Sequence, residues 1–116
     1  MNLKLIMALV ADEKSESIMD AARAAGATGA TIITSVRGEG LKPEKTFLGL
    51  DLAARRDVLL FLVAEPLARM ILETISKAGK FDEEPGAGIA FQIAIEDAIG
   101  LKSQLSTILH EIEDEV

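Results

Sequence analysis

The residues of this chain that could do chemistry are few, and they gather in two glycine-bearing stretches. Val36-Arg37-Gly38-Glu39-Gly40 sets a cation beside two glycines, and Gly86-Ala87-Gly88 follows the acidic run Asp82-Glu83-Glu84. A Gly-x-Gly lets backbone N–H groups approach an anion such as a phosphate, and a neighbouring arginine supplies charge. The same spacing is also an ordinary turn, and clustered carboxylates are either a seat for a hard cation or a solvated surface. Arg55 and Arg56 stand at the far root of the segment that Gly38 opens. There, with Arg37, they could meet an anion; the alternative is a set of solvated strand ends.

No catalytic arrangement emerges. The chain has no cysteine and a single histidine, His110, placed beside the apolar stripe of a predicted terminal helix. Disulfides, thiolate zinc sites, cysteine nucleophiles and a multi-histidine metal site within one chain are therefore excluded, and neither HExxH nor G-x-S-x-G is present. No enzyme is expected. The formal net charge of −7 opposes a phosphate backbone, and four Phe with no Trp or Tyr make no stacking platform, so nucleic acid is not an expected partner. Met7, Met19 and Met70 fall at expected core positions.

The elements that must position the two stretches follow from hydrophobic pattern. Lys4–Ala11 and Asp57–Ala64 are short, nearly continuous apolar runs, the mark of strands apolar on both faces. Ala30–Arg37 is rich in Thr, Ile and Val, and Ile89–Ile95 alternates; both read as strands. Asp12 is the expected cap of a helix carrying Ile18, Ala22 and Ala25 and stopping at Gly26. Pro66 starts a second helix with Leu67, Met70, Ile71, Thr74, Ile75 and Ala78 as its buried stripe, ended by Gly79 or Lys80. A third amphipathic helix is predicted over 103–116, with Ser103 as its cap. Between them lie two irregular segments, 38–56 and 81–88.

The order β-α-β-β-α-β predicts an α+β, ferredoxin-like sandwich with an antiparallel sheet and an extra C-terminal helix, one domain over 1–116. Right-handed crossovers put both inner helices on one sheet face. The other face must then be covered, and sister subunits are the natural cover, so a homo-oligomer is expected. No run of 18 apolar residues occurs, and a soluble, cytoplasmic protein is expected.

Lys4-Leu-Ile-Met-Ala-Leu-Val, Ala25-Gly-Ala-Thr-Gly-Ala-Thr, Val36-Arg-Gly-Glu-Gly, Gly86-Ala-Gly-Ile-Ala-Phe and Ile95-Glu-Asp-Ala, in this order and spacing, resemble the PII signal-transduction family up to about Lys102. The resemblance implies a trimer that binds adenine nucleotides in clefts between subunits and regulates transporters or enzymes. It makes 38–56 the T-loop and 81–88 the B-loop, and it nominates Arg37, Gly38, Glu39, Gly40, Gly86, Ala87, Gly88 and Lys102 as ligand-binding residues. The chain departs from the family where Phe81-Asp82-Glu83 replaces Thr-Gly-Lys, where Ile89 follows Gly88 in place of lysine, and where Gly100 and Lys102 replace two arginines. It also lacks the T-loop tyrosine, and its loop is shorter by about five residues. The resemblance thus implies a divergent PII-like protein with a weakened triphosphate site, suited to a monophosphate or cyclic nucleotide. Any membrane association would run through a target transporter. A trimeric adapter or metal-tolerance protein of the same architecture, binding no nucleotide, is the alternative.

Overall fold

The computed structural model describes residues 2–36, 46, 47, 50, 51 and 55–100 of the 116. Strand β1 (Leu3–Ala11) leads through a 3-10 turn (Asp12–Lys14) into helix α1 (Ser15–Ala24), then strand β2 (Ala30–Val36). A two-residue ladder, β3 (Thr46–Phe47) with β4 (Leu50–Asp51), precedes β5 (Arg56–Ala64), helix α2 (Glu65–Gly79) and β6 (Gly88–Ala94). The main sheet is antiparallel with order β2-β5-β1-β6, which is the ferredoxin-like α+β arrangement expected from the sequence.

Alternation along the two central strands builds the core. Ile6, Ala8 and Val10 of β1 and Leu59, Phe61 and Val63 of β5 are buried on the face that carries the helices. They pack against Ile18 and Ala22 of α1 and Ala68, Ile71 and Ile75 of α2. Burying each large side chain contributes about 1.5–3 kcal/mol. The residues between them form the opposite face. The pairing aligns Val58-Leu9-Ile89, Leu60-Met7-Phe91 and Leu62-Leu5-Ile93 in rows across β5, β1 and β6, all nine apolar.

Some local expectations change. Asp12 does not cap α1: it starts the 3-10 turn, no side chain caps the helix, and Ser15 opens it with its hydroxyl donated to Asp57. Met70 is 48% exposed, because the buried stripe of α2 runs through Ala68, Ile71 and Ile75, one position round the helix. The strand expected over 89–95 starts at Gly88 and stops at Ala94, and the expected irregular segment 38–56 contains the β3–β4 pair. Pro66 lies in the first turn of α2, where its missing N–H costs nothing, and Lys80 closes the helix in the left-handed region at φ 55°. The helix expected over 103–116, with Ser103 and His110, lies outside the described residues.

Candidate functional site

The strand register brings the two glycine-bearing stretches to one end of the sheet. Arg56 opens β5 opposite both Ala11, the last residue of β1, and Val36, the last residue of β2; Gly88 opens β6 opposite Val10. Both described ends of the 37–55 segment therefore lie at the same end of the sheet as the 81–88 loop, the Arg56 end reaching that loop by its side chain and Val36 standing on the outer strand, with β5 and β1 between it and β6. Arg37, Gly38, Glu39, Gly40 and Lys102 lie outside the described residues. Gly86, Ala87 and Gly88 are at this end.

The 81–88 loop is built by tight turns and by one aromatic ring. The N–H groups of Glu83 and Glu84 donate to Lys80, and that of Ala87 donates to Glu84. The Phe81 ring packs against the core where two glycines leave room for it. A Cβ on Gly79 would collide with this ring, and a Cβ on Gly88 would lie 2.6 Å from Phe81 Cε1 and 2.9 Å from the Leu9 carbonyl oxygen. Gly88 is thus required by packing, and Gly86, at φ 77°, by the turn. Ala87 is buried, and its carbonyl accepts the Ala11 N–H at 3.4 Å.

Two charged side chains, Lys14 and Arg56, tie this loop to the rest of the domain, and Asp57 stands beside them. Lys14 Nζ donates to the Gly79 carbonyl at 2.8 Å and to Glu84 Oε2 at 2.6 Å, setting a cation at the negative end of α2. That hydrogen bond, and then the charge behind it, lowers the Glu84 pKa from the ordinary 4.5. Arg56 is not a solvated strand end: it is 6% exposed, and its Nη1 donates to the Gly86 carbonyl at 2.7 Å. Its buried Nε has no partner among the described residues. Asp57, also buried, accepts the Ser15 hydroxyl at 2.6 Å and the Ser35 N–H at 3.4 Å. Arg55 is exposed, and its carbonyl accepts the Asp12 N–H at 3.3 Å.

Sequence reasoning named Arg56 but missed Lys14, Ser15 and Asp57. Their partners lie 22 to 70 residues away, and no local spacing signals such a pair. Asp82 and Glu83 are exposed, and no group of three or more His, Cys, Asp or Glu among the described residues could hold a metal ion. An open groove of about 810 Å³ runs between α2 and the start of β6, lined among others by Arg69, Lys77, Phe81, Asp82 and Gly86. Its charge is mixed, and Arg69 is already engaged by Glu73 at 2.9 Å. No described helix is long and apolar enough to cross a membrane.

A search of curated proteins by sequence finds no match. Among solved structures, the fold is similar to that of CPII bound to ADP, AMP and acetate, from Thiomonas intermedia K12. That likeness has a TM-score of 0.64 and 23% identity, over 87% of this chain and 93% of that one. It is similar too to a protein of Thermus thermophilus described as a PII-like signalling protein, with a TM-score of 0.61 and 24% identity, over 88% and 95% of the two chains. A family model described as "Nitrogen regulatory protein P-II" matches residues 3–104. Sheet order, the loop at the sheet's end and this match agree, and the chain belongs to the P-II family.

Proposed function

We propose that this chain is a PII-like regulatory domain that acts by binding rather than catalysis. Three copies assemble through the apolar sheet face, and a small ligand of the adenine-nucleotide class enters the clefts between them. The ligand changes the conformation of the 38–56 segment, and through it the affinity for a target transporter or enzyme. The observation that carries this reading is that both described ends of that segment lie at the same end of the sheet as the Gly86-Ala87-Gly88 loop, with Arg56 bonded to the Gly86 carbonyl. Arg37, Gly38, Glu39, Gly40 and Lys102 are the further ligand contacts proposed. Three unbroken rows of apolar residues on the open face support assembly, since a monomer would leave them in water. The domain works in the cytoplasm and reaches a membrane only through its target.

The ligand class is supported by the Thiomonas protein, described as bound to ADP and AMP. Its charge state is argued from this chain. Asp82, Glu83 and Glu84 surround the loop, Lys14 is committed to Glu84, and Arg56 to Gly86, so a triphosphate would find few free cations. A melting-shift series with AMP, ADP and ATP, with and without magnesium, tests this, because a ligand that binds the folded state alone stabilises it by about 2.7 kcal/mol at a hundred times its Kd. AMP or ADP should raise the melting temperature more than ATP does. A larger, magnesium-dependent rise with ATP overturns the weakened triphosphate site, and no rise with any nucleotide overturns the sensor.

A further inference from the structure

Arg56 and Asp57 are consecutive residues whose side chains leave β5 on opposite faces, and each reaches a different part of the site. Arg56 shares its face with Ala11, its partner on β1. It stretches past that small side chain, across two strand spacings or about 10 Å, to the Gly86 carbonyl ahead of β6. Asp57 points to the helix face, where it holds the first residue of α1 through Ser15 and the last turn of β2 through the Ser35 N–H. Ser35 is itself in the left-handed region at φ 56°, inside an irregularity of β2 where the register with β5 shifts between Ile33 and Val36. A non-glycine residue held there needs external support, and Asp57 supplies an acceptor to its amide.

Arg56 is not what stability alone would select. A buried guanidinium with one carbonyl partner and an unpartnered Nε is a poor exchange for an apolar side chain of similar size. An unsatisfied buried donor in a folded protein calls for a reason.

Building on the ligand-binding reading above, we propose that Arg56 and Asp57 are positioning residues forming a two-sided clamp, which makes the Gly86 turn and the β2 end of the 37–55 segment move as one unit. A ligand seated on the Gly86-Ala87-Gly88 backbone shifts the carbonyl that Arg56 holds. The strain passes through one peptide unit to Asp57 and so to the Ser35 amide, from which the chain leaves the sheet. The unpartnered Nε is the reserve donor that lets Arg56 follow the Gly86 carbonyl between two positions without losing its charge-assisted hydrogen bond.

Hydrogen exchange on the full chain without ligand tests the clamp by disturbing one side and reading the other. In Arg56→Gln, which cuts the Gly86 side, amide exchange should rise roughly three- to tenfold in residues 30–36 as well as in 84–90, while 68–76 in α2 keeps its protection. In Asp57→Asn, which weakens the Ser35 side, exchange should rise in 84–90 as well as in 30–36. A rise confined to the disturbed side overturns the clamp, and so does a uniform rise that includes α2. If Arg56→Gln does not fold, Asp57→Asn alone decides by the same criterion. A second arm adds AMP: it should alter exchange in 30–36 of the wild-type protein and leave that region unchanged in Arg56→Gln even when bound. Failure of AMP to bind the wild-type chain counts against the nucleotide reading, while the ligand-free comparison still judges the clamp.

Discussion

Replacing Gly88 with Ala adds a methyl group at a point closed by two neighbours of different kinds. The new Cβ would stand 2.6 Å from Phe81 Cε1 and 2.9 Å from the Leu9 carbonyl oxygen. The ring can swing; the carbonyl cannot, because Leu9 is held in β1 between Val58 and Ile89. Overpacking of this kind costs about 1–3 kcal/mol. Against it stands a gain of about 0.4–1 kcal/mol from the reduced freedom of the unfolded chain, available because Gly88 does not need a positive φ. The net loss centres on about 1.3 kcal/mol and does not exceed about 2.6 kcal/mol, and its central value is a fall of roughly 5–10 °C in the thermal midpoint. Circular dichroism at one fixed protein concentration measures it, since an oligomer's midpoint depends on concentration.

A double-mutant cycle with Phe81→Ala identifies the neighbour that yields. With the ring gone, Gly88→Ala should cost less by about 0.5–1.5 kcal/mol, with a residue left over from the Leu9 carbonyl. Additivity of the two changes to within about 0.3–0.5 kcal/mol refutes the packing account. Gly29→Ala is the control: nothing lies within 4 Å of its Cβ, so the change should be neutral or slightly stabilising.

Three further outcomes are expected. Ile71→Ala, at a fully buried position facing both α1 and the sheet, should lower stability by about 2–5 kcal/mol in urea unfolding. Leu60→Glu, at the centre of the open face between Met7 and Thr31, should reduce the mass seen by light scattering to the 12.4 kDa of one chain, whereas the wild-type protein should give a multiple of it. The Lys14–Glu84 pair depresses the folded pKa of Glu84, so its stabilisation is fully present above the unfolded value of 4.5 and is lost as pH falls through the lower folded value. The melting-temperature gap between wild type and Glu84→Gln should therefore be open at neutral pH and close in acid, and it should narrow in high salt because Glu84 is exposed.

The strands were legible because each carries its own signal. The apolar runs of β1 and β5 mark central strands, and their paired residues cover both faces of the sheet, as two-sided patterning implies. Helix α2 was legible from Pro66 at one end and the glycine at the other, but its stripe runs through Ala68, Ile71 and Ile75 and leaves Met70 outside, because a short alanine carries little of the apolar signal that marks a buried position. The site was half legible. Glycine spacing marked Gly86 and Gly88, while the reason for Gly88 lay in Phe81 and Leu9, and the Lys14, Arg56 and Asp57 ties join residues that only the folded sheet brings together. A sequence shows which residues can bond but not which strand ends will share a corner.

The irregularity in β2 has a consequence for solubility. β2 is the outer strand beside β5, and its side chains from Ala30 to Ser35 are exposed, with Ile32 and Ile33 uncovered. Such an edge is a template on which a foreign strand can grow. The register breaks after Ile33, and by Val36 the strand has used one residue more than β5 opposite it. An incoming strand would find four residues in step, Ala30–Ile33, before the inside-outside alternation reverses, too short a run to seed a fibre. The kink at Ser35 thus guards the edge against self-templating as well as shaping the root of the segment that follows it.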